Sequence, residues 1–198
     1  MIWKTEEALF NRGCSLVAGS DEVGRGPLAG PVVAAVIVFD SCGPANVADS
    51  KTVSPVRRVA LQREILAAAV AVGISAVDNN IIDAINILEA SRLAMYQAWD
   101  KLPVKAEYLL LDGGMVPQLE RVVPCRALPG GDRRCGSIAS ASIVAKVYRD
   151  RLMEHYERLY PGYGFARNKG YPTREHLSAL ARLGPTPIHR KSFRGVIQ

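Results

Sequence analysis

Signatures of a zinc module or a disulfide scaffold are missing from this sequence. Its four cysteines, Cys14, Cys42, Cys125 and Cys135, form no C-x-x-C pair, and none has a histidine at zinc-finger spacing. Reduced thiols in a reducing compartment are the expectation. Histidine is scarce as well: His155, His176 and His189 share no metal-ligand spacing and read as surface or packing residues. No apolar run approaches the ~20 residues of a membrane span. The most apolar stretch, Pro27 to Phe39, is short and is interrupted by Gly30 and Pro31. Near the N-terminus, Glu6 and Glu7 stand where a secretory leader needs an unbroken apolar core, so a cytoplasmic protein without membrane contact is expected. Repeats, linkers and low-complexity blocks are also missing.

What is present is an ordinary globular composition. Hydrophobic residues make up 48% and charged residues 22% of 198, enough for one compact domain with a sizeable core. Charge is distributed unevenly. Residues 1 to 132 hold 12 of the 25 Lys and Arg and 15 of the 19 Asp and Glu, a net of minus three, whereas residues 133 to 198 carry plus nine. A polycationic C-terminal third concentrates polyanions around it and favours nucleic acid as the partner.

Strand and helix signals alternate along the chain. Ser15 to Ser20 and Gly30 to Phe39 read as two strands joined by GRGPLAGP in a hairpin-like connection. Ser54-Pro55 opens a helix to about Val70, with Val59, Ile65, Leu66 and Ala69 on one face and Gly73 as its stop. Ile74 to Val77 is a third strand. Asn79 or Asn80 caps a helix carrying Ile81, Ile85, Leu88, Leu93 and Met95 towards Trp99. Glu107 to Leu111 is a buried central strand that turns at Asp112-Gly-Gly, and Arg121 to Leu128 is a further strand candidate. A small-residue helix starts at Ser137, GYGFARNKGYPT forms an irregular loop, and Thr173 caps a last helix to Arg182. The pattern predicts an α/β fold with the C-terminal segment packed beside it as helices and loops.

Acids accumulate at element ends. Asp21 and Glu22 close an apolar strand, Asp112 ends another, and Asp132 sits in a glycine loop before a helix. Carboxylates buried without partners cost several kcal/mol each, so they neutralise, pair with cations or bind metal. Any one of them alone reads as a turn former. Together, with oxygen ligands only, they suit a hard cation such as Mg2+ or Mn2+. Strand ends are where α/β sheets build sites. Two such ions, one orienting hydroxide and one stabilising the leaving oxygen, suit phosphodiester hydrolysis.

The segments DEVGRGPLAGPVVAA, DSK at Asp49 to Lys51, LDGG, the Gly131-Asp132 pair leading into SIASASIVAKVYRD, and NKGYPT together resemble ribonuclease HII, in order from Leu16 to Phe193. The resemblance implies a ribonuclease H-like fold: a central mixed β-sheet flanked by helices, with residues 1–150 as catalytic domain. Residues 151–198 would be a basic helical segment that completes the substrate groove. It implies a metal-dependent endonuclease, with two Mn2+ or Mg2+ ions, that cuts the RNA strand of RNA/DNA hybrids. The same enzyme would nick DNA duplexes 5' of an embedded ribonucleotide, leaving 5'-phosphate and 3'-hydroxyl ends, as in ribonucleotide excision repair. The family's four catalytic, metal-binding acids fall on Asp21, Glu22, Asp112 and Asp132. Gly24, Arg25 and Gly26 correspond to its substrate-reading loop, Ser50 and Lys51 to phosphate contacts, and Tyr171 to the tyrosine against the sugar following the ribonucleotide. A monomer is expected.

Gly130, Asn168 and Thr52 stand where the family usually has Lys, His and Lys, which removes positive groups near the substrate path; Arg133 and Arg134 are candidates to compensate. Two other readings use the same residues: a small phosphoester hydrolase, disfavoured by the basic C-terminal third, and a non-catalytic nucleic-acid-binding module. In the latter, four acids facing phosphate weaken binding unless cations neutralise them.

Overall fold

The computed structural model describes residues 2–47, 53–114 and 116–196. Five strands form one sheet, β1 (Val17–Val23), β2 (Val32–Phe39), β3 (Ala71–Val77), β4 (Tyr108–Asp112) and β5 (Cys125–Leu128), in the order β3-β2-β1-β4-β5. β1 pairs antiparallel with β2 and parallel with β4; β2–β3 is antiparallel and β4–β5 parallel. The helices are α1 (Lys4–Phe10), α2 (Pro55–Ala68), α3 (Asn79–Asp100), α4 (Pro117–Glu120), α5 (Gly136–Leu159), α6 (Phe165–Asn168) and α7 (Arg174–Leu183). A mixed sheet flanked by helices is the fold expected.

β2 is buried over its whole length and separates two cores. Val32, Ala34, Val36 and Val38 pack with Ile82, Ala94, Ala98 and Trp99 of α3. The alternate residues Val33, Ala35, Ile37 and Phe39 pack with Leu61 and Ile65 of α2 and with Ala141 and Val144 of α5. This is the period-two division of a strand covered on both faces. Small residues set the layer spacing. A Cβ on Gly19 would lie 2.2 Å from the Ser137 carbonyl carbon, so α5 rests directly on the backbone of β1.

Several boundaries differ from the sequence expectation. Gly73 does not stop α2, which ends at Ala68; it lies within β3, where a Cβ would come within 1.9 Å of the Ala98 carbonyl oxygen of α3. The buried face of α2 is Arg58, Leu61, Gln62 and Ile65, with Leu66 exposed. Asp78, not an asparagine, caps α3 by accepting from the Ile81 N–H at 3.0 Å. Non-helical dihedrals at Asn86 break α3, and its side chain caps the second half through Leu88 N–H and Glu89 N–H. That kink shifts the apolar face, leaving Ile81, Ile85 and Leu88 partly exposed.

Helix α1 lies outside the elements expected from the sequence. Its Glu6 is buried and accepts from the Ser137 N–H (2.8 Å) and hydroxyl (2.6 Å), capping the N-terminus of α5 from 131 residues away. Around the C-terminal half of α5, Met153 of that helix joins Leu28, Phe165, Leu180 and Ile188 in a separate small core. The boundary expected at residue 150 falls inside α5, so the sheet domain and the C-terminal segment share one continuous helix. No described helix is long and apolar enough to cross a membrane.

Candidate active site

Parallel pairing of β1 with β4 assembles the acids. The register runs Ser20↔Leu111, which brings the next residues, Asp21 and Asp112, to adjacent strand positions. Asp21 shares its strand face with Gly19, the face that α5 covers; it is buried, is hydrogen-bonded by Ser142 of α5, and accepts from the Glu22 N–H at 2.7 Å. Glu22 points to the other face and is bridged by Arg25 Nη1 at 3.2 Å. Asp112 accepts from the Gly131 N–H at 2.7 Å, which ties the end of β4 to the 3-10 turn Gly131–Arg133 that carries buried Asp132.

Asp21, Glu22 and Asp112 line one cleft of about 280 Å3 together with Gly24, Gly26 and Tyr171. Asp132 is not among the lining residues but adjoins them through the Gly131 amide. Burial, and then the Glu22 charge, pushes Asp21 well above the usual carboxylate range; the Ser142 hydrogen bond opposes this and Asp112 adds to it. Burial raises Glu22 too, against the Arg25 ion pair. As the side chains stand, no three His, Cys, Asp or Glu groups among the described residues converge on one point. Even so, the oxygen-only donors, their burial and their mutual repulsion fit hard divalent cations, which would neutralise them and reverse the upward shifts.

The loop Gly24-Arg25-Gly26 adjoins the acids. Gly24 has φ +94°, and a Cβ there would lie 2.2 Å from Arg149 Nε, so the position is closed to side chains both by conformation and by space. Arg25 is half exposed and engaged by Glu22. Tyr171, 42% exposed, stands against Gly26, whose Cβ would fall 3.5 Å from the ring. Ser50, Lys51 and Thr52 lie outside the described residues.

Two of the sequence departures acquire a physical meaning. Asn168 is buried, donating to the Tyr163 carbonyl (2.7 Å) and accepting from the Gly170 N–H (2.8 Å), so its side chain is spent on shaping the loop before Tyr171. At Gly130, in left-handed backbone, a Cβ would meet the Arg133 guanidinium at 3.0 Å, which puts a positive group beside the position.

Sequence reading did not single out Ser142, Lys146, Arg149 or Arg190. Ser142 and Lys146 line the cleft, and Lys146 pairs with Asp150 at 2.6 Å while burial lowers its affinity for a proton. The i, i+4, i+7 spacing of Ser142, Lys146 and Arg149 is a helix-face signal that the sequence does carry. Arg190 has no such signal.

A family model described as Ribonuclease HII matches residues 18–196. The chain is 51% identical over 189 residues to the Ribonuclease HII of Enterococcus faecalis, covering 95% of this chain and 73% of that protein. It is 48% identical over 197 residues to the Ribonuclease HII of Geobacter sulfurreducens, covering 98% and 89%. Among solved structures, the Archaeoglobus fulgidus RNase HII, determined in a complex with PCNA, superposes with a TM-score of 0.76 at 26% identity over 90% of this chain and 95% of that one.

Proposed function

The chain belongs to the ribonuclease HII family, and from that premise we propose how its own residues perform the reaction. It is a divalent-metal-dependent endonuclease that hydrolyses the RNA strand of RNA/DNA hybrids. The observation that carries the residue-level reading is the meeting of Asp21, Glu22 and Asp112 at adjacent strand ends in one cleft beside Gly24, Arg25 and Gly26.

In this reading two Mg2+ or Mn2+ ions are held by Asp21, Glu22 and Asp112, with Asp132 completing the set. When bound, the ions supply an activated water and neutralise charge on the leaving 3'-oxygen. Gly24 and Gly26 let the backbone approach the ribose, whose 2'-hydroxyl separates RNA from DNA. Arg25 exchanges Glu22 for a substrate phosphate. The Tyr171 ring packs on the sugar after the ribonucleotide, and Ser50 and Lys51 hold phosphates. The products carry 5'-phosphate and 3'-hydroxyl ends, the same site nicks DNA 5' of a single ribonucleotide, and the protein works as a monomer. The basic C-terminal third supplies the long-range attraction.

The test is nicking of a DNA duplex with one ribonucleotide in Mg2+ or Mn2+, with EDTA as control. Asp112→Asn keeps an acceptor for the Gly131 N–H and so keeps the fold while removing a charged ligand; cleavage is expected to be lost and duplex binding retained. Turnover within a few-fold of wild type from a folded Asp112→Asn protein refutes the ligand assignment.

A further inference from the structure

Arg149 and Arg190 are fully buried, yet among the described residues neither forms an ion pair. Every hydrogen bond they make goes to a main-chain carbonyl. Arg190 donates to Gly24 (2.6 Å), Arg25 (2.9 Å) and Gly30 (2.8 and 3.0 Å). Arg149 donates to Pro31 (2.9 Å), Ala29 (3.1 Å) and Lys169 (2.9 Å). Burial lowers both, Arg149 to about 10 and Arg190 to about 9, the latter also through repulsion from Arg149; both remain charged at neutral pH. Asp83 attracts Arg190 and Asp150 attracts Arg149, but among the described residues neither carboxylate pairs directly with its arginine. Two buried cations held mainly by carbonyls are an expensive way to brace a loop, which directs attention to what they orient.

A trans peptide places its C=O and the following N–H on opposite sides, and no peptide bond in the described chain is cis. Drawing the Gly24 and Arg25 carbonyls inward onto Arg190 therefore turns the N–H groups of Arg25 and Gly26 outward, away from the guanidinium. Among the described residues neither amide donates to a protein acceptor. Two successive unsatisfied N–H groups after a residue at φ +94°, in a segment lining the cleft, have the character of a backbone nest for an electron-rich oxygen. The same assembly fixes the Tyr171 segment: Leu28 N–H donates to the Gly170 carbonyl (2.8 Å), and Arg190 N–H donates to the Leu28 carbonyl (2.8 Å).

We propose that Arg190, backed by Arg149, is a positioning residue for ribonucleotide recognition, aiming the Arg25 and Gly26 amides at the 2'-hydroxyl oxygen and holding them in register with Tyr171. This rests on the reading-loop assignment made above. Lysine keeps the charge but lacks the planar fork that reaches three carbonyls at once. The probe is a pair of DNA duplexes identical except for ribose or deoxyribose at one nucleotide, bound to the full chain carrying Asp112→Asn. Adding Arg190→Lys is expected to cut the ribose-over-deoxyribose preference about ten-fold while leaving all-DNA binding nearly unchanged.

Phe193 lies against the Arg190 guanidinium at 5.0 Å, so Phe193→Leu loosens the same packing while leaving the carbonyl bonds in place; it should keep the preference. If Arg190→Lys discriminates like its parent, or if Phe193→Leu at equal loss of thermal stability loses as much preference, the positioning role is overturned. If Arg190→Lys does not fold, amide NMR of the Asp112→Asn chain decides. The Arg25 and Gly26 N–H signals must shift with the ribose duplex and not with the deoxyribose duplex, and equal shifts overturn the proposal. A parent protein without any ribose preference overturns the reading of the loop itself, and this proposal with it.

Discussion

Substituting Gly19 by alanine tests whether the contact between α5 and β1 sets the active site. The new Cβ would lie 2.2 Å from the Ser137 carbonyl carbon, 2.4 Å from the Ile138 nitrogen and 2.5 Å from the Ser137 oxygen. All three are main-chain atoms, so no rotamer change relieves the clash. β1 cannot retreat either, being hydrogen-bonded to β2 on one side and β4 on the other. Helix α5 must therefore lift by about 1.5 Å to restore ordinary contact. Overpacking costs ~1–3 kcal/mol, and a helix wedged off a central strand belongs at the upper end, so a loss of about 3 kcal/mol is expected in urea unfolding. The lift also moves Ser142 away from Asp21 and displaces Lys146 from the cleft wall. Misplacement on that scale lowers turnover roughly 100-fold, read by single-turnover cleavage of a duplex with one ribonucleotide. Gly114 is the control: a Cβ there meets nothing within 4 Å, so Gly114→Ala should stabilise by ~0.4–1 kcal/mol through the unfolded chain. A Gly19→Ala protein within ~0.5 kcal/mol of wild type and cleaving at its rate would falsify the argument that this contact fixes the site.

Three further outcomes are expected. Burial, aided by the neighbouring His176, pushes His189 down to about 4 from 6.5, so below pH 6.5 the unfolded chain takes up a proton the native state refuses. Its contribution, on the order of 3 kcal/mol, is complete above pH 6.5 and disappears as pH falls towards about 4; because raised Asp21 works in the opposite direction, the difference between wild type and His189→Gln in urea unfolding across pH isolates it. Arg133→Gln with Arg134→Gln should flatten the slope of log affinity against log salt by up to ~1.8, about 0.9 for each phosphate no longer neutralised; an unchanged slope removes these two from the interface. Deleting the C-terminal tail is not an equivalent test, since it also removes the Arg190 hydrogen bonds to the Gly24 and Arg25 carbonyls. Tyr171→Ala should slow cutting at a single ribonucleotide far more than it weakens binding, and equal rates would reduce the ring to packing.

Much of this protein is legible in one dimension. Ser54-Pro55 and Thr173 announce helix starts because capping is a local matter of one hydroxyl and a few amides, and both side chains do accept from the N–H three residues on. The apolar run of β2 declares a strand, the continuous run of β4 declares one covered on both faces, and the acids show themselves by standing at the ends of apolar segments. Long-range contacts are different. Whether Gly73 ends a helix or admits Ala98 beneath it depends on a residue 25 positions away, and the kink at Asn86 overrides the helical periodicity that placed Ile81 and Leu88 inside. Glu6 caps α5 across 131 residues, and Arg190 reaches Gly24 across 166. A buried guanidinium solvated by carbonyls leaves no local trace, because its partners are main-chain atoms that every residue has. Residue identity thus dictates which groups carry the chemistry, while the parallel pairing of β1 with β4 and the packing of α5 and the tail set how those groups face one another, since direction and distance between remote segments exist only once the chain has packed.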